Sequence, residues 1–161
     1  MIQRIQSVFI ALSIICLVAS SFTVYWVKSN SETQEAVNLY PMEMVSLKLV
    51  DNVEQTIETR GNIHLFLLPL FIAGILGFSL FQFKNRLRQM QLGALASMLM
   101  TLTMILTAWR STQMNELIES TNYEFPAVGF FTLVGAMLFN ISSNRFIRKD
   151  EKLVKSMDRI R

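Results

Sequence analysis

One cysteine, Cys16, stands in 161 residues, which excludes an internal disulfide and a C-x-x-C pair, and with them thiol–disulfide exchange of the usual kind. Histidine is equally scarce. His64 is the only one, and no grouping of His, Cys and carboxylates has the spacing of a metal site, so neither metal nor other cofactor is expected. Glycine-rich phosphate loops are missing too. Charge is thin, at 17% of residues against roughly 25% in an average soluble domain. Four stretches, 5–27, 61–83, 89–109 and 125–144, contain no Asp, Glu, Lys or Arg over 23, 23, 21 and 20 residues. Without Asp, Glu, Lys or Arg there, those stretches lack the acids and bases that catalysis inside a membrane needs. No catalytic residue is identified, and an enzyme is not expected.

What fills those stretches is apolar. Hydrophobic residues make up 52% of the chain, and a helix needs about 20 of them to cross a hydrocarbon core of roughly 30 Å. The pattern predicts an all-α membrane protein, a four-helix transmembrane bundle with spans near 5–27, 62–83, 87–112 and 126–146. Val18-Ala19-Ser20 behind Arg4 has the look of a leader cleavage site, but the apolar run continues to Val27, longer than a leader's core, so a retained helix is expected. Tyr25-Trp26 suits a headgroup anchor. Pro69 lies inside the second span, Pro126 is placed at the first turn of the fourth, and the third should continue past Thr112 towards Glu119 because no Gly or Pro stops it.

Arg4, the Lys84–Arg88 segment and the tail from Arg145 hold 11 of the 15 basic residues, whereas 28–60 and 110–124 hold nine of the 12 acids. Positive segments stay cytoplasmic, so both termini are expected inside and both longer loops outside. In the first loop, 28–61, Met42–Val50 alternates apolar and polar residues, Asp51-Asn52 makes a turn, and 53–59 returns, which predicts a small antiparallel β cap. The layout is similar to that of claudins, without their paired cysteines and tryptophan signature.

Several residues read blandly. His64 is an interfacial histidine before it is a ligand, Cys16 a small packing residue, and Glu116 with Glu119 a solvated helix end. Gly74, Gly77 and the Gly93–Ser97 pair mark faces for close helix contact, and the ten methionines adaptable packing. The tail 147–161 says more. Its Leu153, Val154, Met157 and Ile160 form one helical stripe beside Arg148, Lys149, Lys152 and Lys155. Together with Arg4, Arg86 and Arg88 these residues make a basic surface for anionic lipid or for docking a partner.

The opening Met1-Ile-Gln-Arg-Ile-Gln-Ser-Val8 and the closing Ile147-Arg-Lys-Asp-Glu-Lys-Leu-Val-Lys-Ser-Met-Asp-Arg-Ile-Arg161 resemble the domain-of-unknown-function family numbered 4293, small four-span inner-membrane proteins of the Bacteroidota. The matching positions are Gln3, Arg4, Arg148, Lys149, Asp150, Glu151 and Lys152. The resemblance implies a bacterial inner-membrane location and supplies no catalytic residue. Two functions are therefore expected from the sequence. One is a non-enzymatic subunit or assembly factor of a larger membrane complex, with the bilayer and other integral membrane proteins as partners and no nucleic acid or small-molecule substrate. The other is a small oligomeric transporter or channel for an apolar or uncharged substrate.

Overall fold

The computed structural model describes the backbone of residues 2–50, 53–82, 85–118 and 123–158, and the side chains of 5–48, 55–82, 85–118 and 123–152. Among the described residues the chain forms four helices and one five-stranded sheet. Helix α1 (Ile2–Ser20) leads into strands β1 (Trp26–Asn30), β2 (Glu35–Leu39), β3 (Glu43–Val50) and β4 (Val53–Gly61). Helices α2 (Ile63–Phe81) and α3 (Arg86–Gln113) follow, then a 3-10 turn (Met114–Glu116), β5 (Tyr123–Pro126) and helix α4 (Val128–Asp158).

The all-α, four-span bundle expected from the sequence is not what forms. A whole antiparallel sheet is present, and among the described residues only α2 and the α3 helix with its 3-10 extension are long and apolar enough to cross a membrane. The first charge-free stretch divides between two structures. Helix α1 ends at Ser20, and the rest of that stretch leads into the sheet. Hydroxyls close the helix: Ser20 and Ser21 Oγ donate to the Leu17 carbonyl at 2.7 and 3.2 Å, and Thr23 Oγ1 to that of Ala19 at 3.1 Å. Beyond them Val24 and Tyr25 lead into β1, where Trp26 and Val27, good strand formers, join the sheet. In α4, Asn140, Ser142, Ser143 and Asn144 break the apolar run that residues 128–139 begin. Pro126 does not open that helix. It ends β5 at the sheet edge, where a residue without an N–H costs no ladder bond.

The sheet order is β4-β3-β2-β1-β5, antiparallel throughout. The alternation read over Met42–Val50 becomes β3, which pairs with β4 from Glu43↔Gly61 to Val50↔Val53, while the proposed turn at Asp51-Asn52 lies outside the described residues. Ile57 is an extra residue on β4 between the pairs Ser46↔Glu58 and Leu47↔Thr56, a bulge that bends this edge strand. Strands β1, β2 and β5 were not expected. Asn30 shapes the β1–β2 connection, its Oδ1 accepting from the Glu32 and Thr33 amides at 2.9 and 3.4 Å, and Gln34 takes a φ of 55°.

The helices pack α1 on α2 and α4, and α3 on α2 and α4. Helix α1 runs antiparallel to α4: Ser143 Oγ donates to the Gln6 carbonyl at 3.2 Å and Ser13 Oγ to that of Ala136 at 2.8 Å, with Phe9 stacked on Phe146. One end of the helical layer thus holds the start of α1, the α2–α3 connection and the later part of α4. The sheet sits at the other end, where Tyr25, fully buried, receives Ala127 N–H at its carbonyl and donates its own N–H to Leu39.

Candidate functional site

The end away from the sheet carries the basic residues singled out in the sequence. Arg86, the first residue of α3, holds Asp150 of α4 at 3.1 Å and reaches its carbonyl at 3.5 Å. That pair ties the two helix ends together and takes Arg86 out of any free basic surface. Arg88 is exposed in the first turn of α3, its amide capped by Asn85 Oδ1 at 3.2 Å. Arg148, Lys149 and Lys152 are exposed on α4. Leu153, Lys155 and Met157 belong to the same helix and Arg4 to α1, but their side chains, like the rest of the apolar stripe, lie outside the described residues.

Sequence reasoning passed over the residues that build the seam between α3 and α4. Asn140, 1% exposed, donates from Nδ2 to the Gly93 carbonyl at 2.7 Å and to Ser97 Oγ at 2.8 Å. One turn on, Asn144 lies over Gly93 so closely that a Cβ there would stand 2.3 Å from its Oδ1. The small face read as Gly93–Ser97 is real, and its occupants are two asparagines. A polar side chain inside an apolar run was the available signal, since such residues glue helices together where water is scarce. Below this contact the seam opens into a cavity of about 310 Å³ lined by Ala94, Ser97, Ile141, Asn144, Arg145 and Arg148.

Gly74 and Gly77 behave otherwise than expected. A Cβ at either would meet nothing within 4 Å, so they mediate no helix contact within the chain. Cys16 is part-buried, its Sγ 3.9 Å from where a Gly135 Cβ would be, the position of a packing residue. His64 is exposed at the start of α2.

At the sheet end a polar cleft of about 630 Å³ lies between β2–β4 and the 3-10 turn. Its charges are tied to one another. Lys48 binds Glu35 at 2.9 Å, and Arg60 binds Glu58 at 2.7 Å and Glu116 at 3.1 Å. The hydrogen bonds to Glu58 and then Glu116 push the Arg60 guanidinium further above its ordinary pKa, so it stays charged. Next to the cleft Lys28, 1% exposed, donates to Asn115 Oδ1 at 2.6 Å and pairs with Glu124 at 3.2 Å. Glu124 also accepts from Trp26 Nε1 at 3.1 Å. Among the described residues no three His, Cys, Asp or Glu side chains are grouped to hold a metal ion.

No curated protein matches the chain. A family model extends over residues 2–160, nearly the whole chain, and the chain belongs to that family, the Domain of unknown function (DUF4293).

Proposed function

We propose that the chain is a non-enzymatic integral membrane protein of the bacterial inner membrane, an accessory subunit or assembly factor of a larger membrane complex. One observation carries the reading: many of the large apolar side chains on the helices are exposed. Phe71, Phe78 and Phe81 on α2, and Met98, Ile105 and Trp109 on α3, are all more than half exposed, while Asn140, Ser13, Thr103 and Thr107 are buried between helices. Only 33% of the apolar stretch of α2 and 28% of that of α3 is buried, the reverse of a soluble core helix. Apolar patches of this extent call for lipid or protein cover. α1 and α4 add Val8, Ile15, Phe131 and Leu138 to the same exterior.

In this reading α2 and α3 cross the bilayer, with α1 and α4 packed alongside them. The end bearing Arg86, Arg88, Arg148, Lys149 and Lys152 faces the cytoplasm together with both chain termini, and the acid-rich sheet faces outward. The paired charges of the sheet cleft and the hydrogen-bonded seam are built for holding shape and presenting surfaces. Mild-detergent extraction from the native membrane tests the proposal. The chain should remain in the membrane after alkaline carbonate and then migrate with another integral membrane protein in fixed ratio. Release by carbonate would overturn the membrane reading. Migration alone at its own mass would overturn the subunit reading.

A further inference from the structure

The cavity between α3 and α4 has the shape and chemistry of a lipid site. Two guanidiniums stand at its mouth, Arg145 and Arg148, three residues apart and so on one face of α4. Both are exposed, and among the described residues neither is engaged by a carboxylate, unlike Arg86, Arg60 and Lys28. Ser97 and Asn144 supply hydroxyl and amide groups within it, and the small exposed Ala94 leaves its side open. Along α4 the cavity runs from Arg148 back to Ile141, about 10 Å at 1.5 Å per residue. It therefore starts at the first charges after the uncharged stretch 125–144 and ends inside that stretch. Continuing the same stripes away from the arginines leads to Met98, one turn beyond Ala94, and Leu138, one turn beyond Ile141, which are 73% and 59% exposed.

The geometry points to one occupant, an anionic phospholipid, its phosphate held by Arg145 and Arg148 and one acyl chain lying along Met98 and Leu138. Charge complementarity selects the headgroup, since paired guanidinium donors match phosphate oxygens. The change from the arginine-lined cavity to the exposed apolar side chains of Met98 and Leu138 beyond it selects a lipid over a soluble anion. The small residues Ala94 and Ser97 then have a role on the outside of α3, as Gly93 does on the inside. The inference rests on the membrane reading proposed above, and it adds Arg145 to the basic residues recognised in the sequence.

The test uses the full chain in neutral detergent micelles, titrated with phosphatidylglycerol or phosphatidylcholine and read by native mass spectrometry. The wild type should retain phosphatidylglycerol in preference to phosphatidylcholine. Arg145→Gln with Arg148→Gln should lower that preference on the order of tenfold. Ala94→Leu, which adds bulk to the lining, should lower occupancy by both lipids. Lys149→Gln with Lys152→Gln removes the same charge from the same helix and should leave the preference intact. An equal loss in the lysine variant would overturn the proposal in favour of diffuse attraction to a basic tail. Complete displacement by excess inorganic phosphate would overturn it in favour of a free-anion site, and absence of any preference in the wild type would overturn it outright. Carbonate extraction of every variant reports separately on the membrane reading, so a protein that stays membrane-bound yet shows no lipid preference fails only this inference.

Discussion

Three glycines separate local from long-range meaning at the residue scale. A Cβ at Gly129 would stand 2.6 Å from the Val24 carbonyl and 2.8 Å from that of Thr23, backbone atoms that cannot swing aside. Gly129→Ala should therefore cost about 1–3 kcal/mol, read as a lower unfolding midpoint in detergent. At Gly93 the obstacle is the end of the Asn144 side chain, which can rotate, so Gly93→Ala should cost less. Gly74→Ala meets open space and should be neutral or slightly stabilising, by up to about 1 kcal/mol of helix propensity. Spacing along a helix made Gly93 legible. It could not mark Gly129, whose conflict is with a loop more than a hundred residues earlier. Tyr25 gives a pH prediction. Burial pushes its phenol from an ordinary value of 10.0 up to about 12. The folded state thus holds the proton more tightly than the unfolded chain. The contribution to stability is complete below pH 10 and is lost as pH rises through about 12. Thermal unfolding of the wild type should weaken across that window by more than that of Tyr25→Phe, and the 295 nm absorbance difference between the two should titrate near its upper end.

At the scale of elements, the joint between β1, β5 and the 3-10 turn depends on a single buried cation. Lys28 sits opposite Glu124 in the β1–β5 register, and its ammonium also meets Asn115. Glu124→Ala strands that ammonium and should cost about 1–3 kcal/mol, below the full penalty of an orphaned buried charge because the Glu124 side chain is 43% exposed. Lys28→Met in the same background should restore most of the loss, and a double-mutant cycle of urea midpoints measures the coupling. A lysine on an otherwise strand-like run signals an edge or a loop in sequence, yet here it is covered, because β5 arrives from the far end of the chain. The β3–β4 hairpin was legible for the opposite reason: its two strands are neighbours in sequence, and both alternate. Strands β1, β2 and β5 are four or five residues long, too short for a period to stand out from the flanking apolar helix or the polar loop.

For the whole molecule, the distribution of charge and the fold place opposite characters at opposite ends. The Arg86–Asp150 pair and the Ser143–Gln6 bond bring the start of α1, the α2–α3 connection and the later part of α4 to one level, and the sheet occupies the other. In the proposed orientation, with Cys16 replaced by Ser, Ser31→Cys on the β1–β2 loop should react with an impermeant maleimide in intact spheroplasts. Ser156→Cys on α4 should react only after the membrane is opened. The opposite pattern would invert the orientation while leaving the fold untouched.

Sequence alone determined what depends on neighbours along the chain: the apolar length of α2 and α3, the helical tail, the β3–β4 alternation, the asymmetry of charge and the terminal motifs of the family. Each is a sum over local side chains, whether transfer free energy, helical or strand period, or electrostatic bias. Tertiary structure decided the rest. The end of α1 at Ser20 depends on Leu39 and Ala127 claiming the backbone of Tyr25, and the occupants of the Gly93–Ser97 face are asparagines from 43 and more residues away. Among the described residues Arg86 meets a carboxylate on another helix and Arg145 and Arg148 do not, and pairing across that distance leaves no trace in local composition.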